Sequence, residues 1–98
     1  MANDYITAGT ATAAGGTSTL YTPSSADFVG SLLIGNASGG TARTFSVSIA
    51  GHWTHTNIPL ASNDTIHLQG LVLSDGEALL VKGSNTDVNF KLMGVEIT

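Results

Sequence analysis

The histidines are the side chains best suited to chemistry. His52 and His55 lie three residues apart in His52-Trp53-Thr54-His55, and His67 follows further on. Neutral imidazole is the commonest metal ligand. On a strand, residues i and i+3 point to opposite faces, so this pair could share a metal only in a turn. The motif also lacks a third ligand at a recognised spacing. We therefore expect no metal site and no cofactor, although one histidine per chain at the symmetry axis of an oligomer stays open.

Trp53 is the only tryptophan, and it lies among polar neighbours. A tryptophan in this setting can belong to the core, to a subunit or partner contact, or to a ligand site that stacks a sugar ring. Aromatic side chains are enriched in binding hot spots. Trp53, His52 and His55 are therefore candidate partner-contact residues.

No arrangement of residues indicates catalysis. Nucleophilic catalysis needs a nucleophile, a base and an orienting group in contact, and the chain has no Gly-x-Ser-x-Gly elbow. Asp64, Asp75, Glu77 and Asp87 all fall in or beside predicted turns, where carboxylates are usually solvated rather than paired across a cleft. The sequence predicts a protein that is not an enzyme.

The composition restricts the class of protein further. A chain of 98 residues predicts one domain. Three basic residues against seven acidic ones cannot build the basic face that nucleic-acid binding requires. Without cysteine there are no disulfides or thiolate metal sites, and no apolar run is long enough to span a membrane as a helix. No secretory signal is recognisable, so we expect synthesis in the cytoplasm.

The surface chemistry favours contact with other protein. Charged residues make up 10% of the chain, where about 25% is usual. Thr, Ser and Gly together fill 35 of the 98 positions. A surface that replaces charge with small polar groups tolerates being covered by a partner, although a plain threonine-rich β-protein has the same composition.

The elements that must position these residues are strands. Arg43–Ile49 alternates polar and apolar residues and predicts a half-buried strand with Phe45, Val47 and Ile49 inward. The run Leu32-Leu33-Ile34 predicts a strand covered on both faces. Residues 36–40, rich in Gly and Asn, predict a five-residue hairpin loop between these two strands.

The second half repeats this pattern, with predicted strands at 64–69, 77–82 and 87–98 separated by turns. In the last strand the apolar positions change parity between Leu92 and Val95. A strand cannot place both sets on one face without an extra residue, so we predict a bulge or bend around Met93-Gly94. A strand that crosses from one sheet to the other is the alternative.

Together these signals predict an all-β chain: a single antiparallel β-sandwich of about eight strands, jelly-roll-like. Residues 20–98 form the predicted sandwich domain, and residues 1–19, rich in Ala, Gly and Thr, an extended arm or edge strand. The arm has few large side chains to bury against its own domain. We therefore predict that it contacts a neighbouring subunit around Tyr5 and Ile6, with fraying as the alternative. Deleting residues 2–14 should then weaken that contact while leaving the sandwich folded.

Three stretches resemble a pattern of small tailed-bacteriophage virion proteins. The first is Leu20-Tyr21-Thr22-Pro23 followed by Leu32-Leu33-Ile34-Gly35-Asn36-Ala37-Ser38-Gly39, which leads into the alternating strand Arg43-Thr44-Phe45-Ser46-Val47. The second is Gly76-Glu77-Ala78-Leu79-Leu80-Val81, and the third is the ending, with Val88-Asn89-Phe90 and Gly94-Val95-Glu96-Ile97-Thr98. The likeness covers about residues 20–98.

The resemblance implies a structural protein of the virion, of the capsid decoration (cement) type. Such a protein binds the major capsid protein on the capsid exterior as a homotrimer and stabilises the shell. The alternative is a carbohydrate- or receptor-binding module of a phage tail, neck or fibre. No motif transfers a functional residue from this family to a position in this chain.

Overall fold

The computed structural model describes residues 3–12, 16–85 and 87–98, with side chains from Ile6 onward. These residues form eight strands: β1 (Asn3–Thr12), β2 (Thr17–Tyr21), β3 (Asp27–Asn36), β4 (Arg43–Ile49), β5 (His52–Leu60), β6 (Thr65–Leu73), β7 (Leu79–Gly83) and β8 (Val88–Ile97). Within the described ranges no helix has the length and hydropathy needed to cross a membrane.

The strands form two four-stranded sheets. The first sheet has the order β1-β8-β3-β6 and the second the order β2-β7-β4-β5. All pairings are antiparallel, and the chain winds so that β1 pairs with β8, β2 with β7, β3 with β6 and β4 with β5. This is the winding of a jelly roll, so the predicted all-β sandwich is confirmed.

The core lies between the inner faces of the two sheets. Alternate side chains on each strand point inward, as strand geometry requires. The fully buried members include Phe28, Leu32, Phe45, Val47 and Leu79. The predicted inward face of β4 is therefore confirmed for Phe45 and Val47, while Ile49 is only partly buried against the core.

The predicted hairpin between β3 and β4 is wrong. The two strands lie in different sheets, and the segment between them crosses from one sheet to the other. Asn36, at the end of β3, anchors this crossing: its amide Nδ2 donates to the carbonyls of Thr41 (2.9 Å), Leu60 (3.1 Å) and Ala61 (3.2 Å). Its Oδ1 accepts from the backbone N–H of Ser38 at 2.9 Å. The turn-forming residues between the strands thus serve a connection between sheets.

The bulge or bend predicted around Met93-Gly94 does not insert a residue into β8; the register shift beside Met93 lies in the pairing with β1, and β1 carries the extra residue. β8 pairs with β3 without a register shift from Val88 to Ile97. Gly94 faces the core, and a Cβ placed there would clash with the Val29 carbonyl oxygen and lie 2.6 Å from Gly30 Cα and 2.7 Å from the ring of Phe28. Gly94 is therefore required by the close approach of the β3 backbone and the Phe28 ring, and no residue is inserted into β8.

The run Leu32-Leu33-Ile34 is covered on one face only. Leu32 and Ile34 are fully buried, whereas Leu33 points to the outer face and is half-buried. The expectation of two covered faces is therefore wrong for the single chain.

The free edges of both sheets are irregular. β1 has an extra residue between Thr7 and Gly9, β2 one between Thr19 and Tyr21, and β6 one opposite Ser31. β5 has two extra residues against β4. The central pairings β3–β8 and β4–β7 have none. Bulged edges resist pairing with strands of another chain, so every edge strand of this fold is protected.

Candidate binding surfaces

His52, Trp53 and His55 lie on β5, a strand that was not predicted from the sequence. β4 and β5 are joined by the two-residue turn Ala50-Gly51, in which both residues have positive φ (51° and 84°). This is the geometry of tight hairpins that match strand twist. The turn is not recognisable from the sequence, because Asn, Asp or Gly is usual at its first position and this chain has Ala50 there.

The two bulges of β5 determine where its side chains point. The register places Trp53 opposite Ser48 on the outer face, and His55 opposite Val47 on the inner face. In a regular strand Trp53 and His55, two residues apart, would share a face, because side chains alternate; the bulge at Thr54 places them on opposite faces. The bulge therefore turns Trp53 to solvent, where it is 48% exposed. Of the readings of Trp53 left open by the sequence, the core is excluded.

Trp53 lines a shallow depression of about 390 Å³ on the outer face of the second sheet. The other lining residues are polar: Thr17, Ser46, Thr56, Asn57 and Lys82. Ser46 is buried, and its Oγ accepts a hydrogen bond from the backbone N–H of Asn57 at 2.9 Å. This bond fixes the second β5 bulge, where Asn57 has a positive φ of 49°. We call this surface the Trp53 depression.

The histidines are not brought together into a metal site. His55 is partly buried, and its ring stacks on Phe45 at a centroid distance of 6.4 Å. Thr54 Oγ1 lies 3.0 Å from His55 Nδ1. His52 is exposed at the start of β5, and His67 lies exposed on β6 of the other sheet. Among the described residues, no three His, Asp or Glu side chains group closely enough to hold a metal ion.

Tyr5 and Ile6 lie on β1, an edge strand of the first sheet. Tyr5 pairs with Val95 and Ile6 with Gly94 of the same chain. The Tyr5 side chain lies outside the described part, whereas Ile6 packs partly buried against the core. A contact with a neighbouring subunit at β1 would therefore have to use its outer face, and the Ile6 side chain is not on that face.

The outer face of the first sheet carries an apolar band, which comprises Val29, Val72, Met93, Val95 and Ile97. Val29 pairs with Val72 on one side and with Val95 on the other, so the band crosses three adjacent strands. Val29 is 42% and Val72 58% exposed. The band is not evident from the sequence, because its members alternate with core residues and have the same apolar character.

The same outer face has a groove beside the band. It measures about 580 Å³, and its lining includes Leu33, Gly35, Thr65, Thr12 and Lys91. Its floor is open at Gly35, where an added Cβ would meet only Thr65 Oγ1, at 3.7 Å. The groove and the apolar band together make a continuous, mostly uncharged surface.

Two carboxylates stabilise a turn. Asp75 Oδ1 accepts from the backbone N–H of Ser25, and Glu77 Oε1 from that of Ser74, so both order the turn around residue 75. The Tyr21 hydroxyl donates to Glu96 Oε2. Burial, followed by this hydrogen bond and the Glu96 charge, raises the pKa of Tyr21 to about 12.

Two surfaces therefore stand out: the apolar band on the first sheet and the Trp53 depression on the second. The sequence does not predict that Lys82 and Thr17 line that depression, because they lie on strands far from Trp53 in the chain. Comparison with known proteins adds no assignment: no protein-family model, no curated protein and no solved structure matches this chain.

Proposed function

We propose that this chain is a structural protein of a tailed-bacteriophage particle, of the capsid decoration type. It binds the major capsid protein on the capsid exterior as a homotrimer and stabilises the shell. The observation that carries the proposal is the apolar band, which crosses three strands of the first sheet and has its exposed members, Val29 and Val72, side by side on β3 and β6.

An uncovered sheet face of this kind calls for a partner. Single exposed apolar side chains are ordinary, but contiguous exposed patches mark interaction sites. The sequence of β3 also favours a partner on this face. The run Leu32-Leu33-Ile34 is typical of a strand covered on both faces, but within one chain only the face of Leu32 and Ile34 is fully buried. A second molecule on the outer face would complete that burial.

The partner would bind the face and not the edges. All four edge strands are bulged, which works against strand addition at either side of each sheet. Association through the sheet face leaves those edges free. A small domain that must add to a shell without polymerising edge to edge benefits from this arrangement.

The charges on this face suit a ring of identical chains. Asp27 and Lys91 both lie on the outer face, and Lys91 pairs in register with Leu33, six residues along β3 from Asp27. This separation is about 20 Å at roughly 3.3 Å per residue. In a head-to-tail contact, Lys91 of one copy approaches Asp27 of the next copy. Such heterologous contacts close into rings when the rotation permits.

The stabilising mechanism is mass action. A protein that binds the assembled shell and not its free subunits shifts the equilibrium toward the assembled state. No catalytic step is required, and the sparse surface charge keeps the desolvation cost of such contacts low.

The experiment measures mass in solution and binding to capsids. By light scattering, we expect the wild-type chain at three times its 10.0 kDa mass. It should cosediment with tailed-phage capsids that lack decoration protein, and raise the temperature at which they disassemble. Val72→Asp, which places a charge in the most exposed part of the band, should be monomeric and should not cosediment.

The control is Thr19→Asp, which adds the same charge at an exposed position of the second sheet. It should remain trimeric and bind. A wild-type chain that is monomeric and does not bind capsids contradicts the proposal, as does a Val72→Asp variant that behaves like wild type.

A further inference from the structure

We propose that the Trp53 depression is a binding site for a saccharide that carries a carboxylate. In this site the Trp53 indole stacks on the sugar ring, Lys82 pairs with the carboxylate, and Thr17, Thr56 and Asn57 bond the ring hydroxyls. The site lies on the second sheet, opposite the apolar band, and its assignment goes beyond the proposed structural role.

The stacking surface is the half-exposed indole. Trp53 is the largest side chain of the molecule, and 48% of it remains in contact with solvent. The bulge at Thr54 places the indole on the outer face, although an apolar side chain of this size would gain free energy from burial. Bulges next to binding sites re-aim side chains in this way. A pyranose ring has an apolar face of C–H groups, which suits the face of an indole.

The polar groups that surround the indole provide hydrogen bonds of both kinds. Thr17 and Thr56 are exposed and offer hydroxyls, and exposed Asn57 offers an amide. Asn57 has a left-handed backbone conformation, which costs free energy for a residue other than glycine. The hydrogen bond from its backbone N–H to buried Ser46 holds that backbone in place, so the position from which the side-chain amide extends is fixed before any ligand arrives.

The charge of the site selects an anion. Lys82 lines the depression, which contains no carboxylate. Among the described side chains, those of residues 6–12, 16–85 and 87–98, the ion pair found joins Arg43 to Asp87 at 2.8 Å, and no acidic side chain of that set pairs with Lys82. A cation beside an aromatic ring is suited to an acidic sugar.

The size of the site suits one ring. Ligand sites usually measure about 300–1,000 Å³, and this depression, at about 390 Å³, lies at the small end. A depression of this volume has room for about one sugar ring, and because it is open to solvent, that ring can be free or the terminal unit of a longer glycan.

The test uses the fluorescence of Trp53, the single tryptophan, as a reporter at the site. The probes are D-glucuronic acid, D-glucose and acetate, which separate the contributions of ring and carboxylate. Glucuronic acid should change the emission saturably. Glucose should bind about tenfold or more weakly, because it loses a charge-assisted contact. Acetate should cause no change at matched ionic strength.

Matched variants locate the effect. Lys82→Gln should reduce glucuronic acid binding to the level of glucose, whereas Lys91→Gln, on the first sheet, should bind as wild type. Trp53→Ala, followed by calorimetry, should lose binding of both sugars while its circular dichroism stays native. The proposal is overturned if glucuronic acid causes no saturable change, if acetate causes an equal one, or if both lysine variants weaken binding equally.

Self-association gives a separate signature. If the Trp53 surface packs against a second copy, the emission will depend on protein concentration without any sugar, and this result also overturns the proposal. Val72→Asp, which disrupts the other face, should still bind glucuronic acid. Failure of the trimer proposal and failure of the sugar proposal are thus distinguishable.

Discussion

Gly30 and Gly94 face each other across the central strands β3 and β8, and the ring of Phe28 occupies the space that side chains would need. A Cβ at either glycine would lie 2.7 Å from that ring. Phe28 is fully buried and also contacts Tyr21, with ring centroids 5.1 Å apart. The pair of glycines therefore leaves room for the buried ring of Phe28.

Replacing either glycine of this pair should destabilise the fold. Gly94→Ala forces Phe28 or the β3 backbone to move, and overpacking of this kind costs about 1–3 kcal/mol. Urea unfolding followed by circular dichroism measures the change. Gly35→Ala, in the same strand as Gly30 but with open space above it, is the control and should change the free energy of unfolding little. Equal effects of both variants would refute the packing argument.

Asn36 should be important for the crossing between the sheets. Its side chain is 2% exposed and bonds three carbonyls and one N–H group. Asn36→Ala leaves these groups unpartnered, which should cost about 1–3 kcal/mol or more. Asn89→Ala, at an exposed position, should cost less than about 0.5 kcal/mol in the same unfolding measurement.

Trp53 and Phe45 should respond oppositely to truncation although both are aromatic. Phe45 is 1% exposed and Trp53 48%. Phe45→Ala should cost about 3–5 kcal/mol because it opens a core cavity, whereas Trp53→Ala should cost about 1 kcal/mol or less. A large loss of stability in Trp53→Ala would mean that the indole is a core residue.

Tyr21 should make stability fall at alkaline pH. Its pKa is raised from 10.0 to about 12 in the folded chain, so folding favours the neutral phenol. This contribution is complete below about pH 10, the unfolded-state value, and is lost as the pH rises through about 12. Tyr21→Phe should remove the dependence, as measured by unfolding at a series of alkaline pH values.

Glu96→Gln separates the causes of that shift. Removing the charge should lower the pKa of Tyr21 toward its ordinary value, while the contribution of burial remains. Titration of the tyrosinate absorbance, compared between Glu96→Gln and wild type, measures the difference. No change in the Tyr21 titration would exclude Glu96 as a cause.

β1 should contribute to the stability of the sandwich, whereas the sequence predicts an arm that the sandwich does not need in order to fold. The strand pairs with β8 along its length, and Ile6, Ala8 and Ala11 pack on the core. Deleting residues 2–14 would expose an edge of β8 and part of the core. We expect a clearly lower midpoint of thermal unfolding for the deleted chain than for the full chain. A deletion with an unchanged midpoint would mean that β1 contributes only to contacts with other chains.

The sequence by itself determined the class of fold, because alternation is a local property. Polar and apolar residues alternate along Arg43–Ile49, and Ser74-Asp75-Gly76 forms a turn whatever strand follows. These signals need only the geometry of neighbouring residues. They predicted strands, antiparallel pairing and a sandwich, and the structure confirms all three.

The tertiary structure alone decided which strands pair and which side chains face solvent. β3 and β4 are neighbours in sequence yet belong to different sheets, because Asn36 joins the crossing segment to carbonyls far along the chain. A bulge at Thr54 reverses the orientation of Trp53. The close approach of β3, including the ring of Phe28, leaves no room for a side chain at Gly94 of β8. Each of these depends on contacts between distant residues, and alternation along one strand carries no information about its partner.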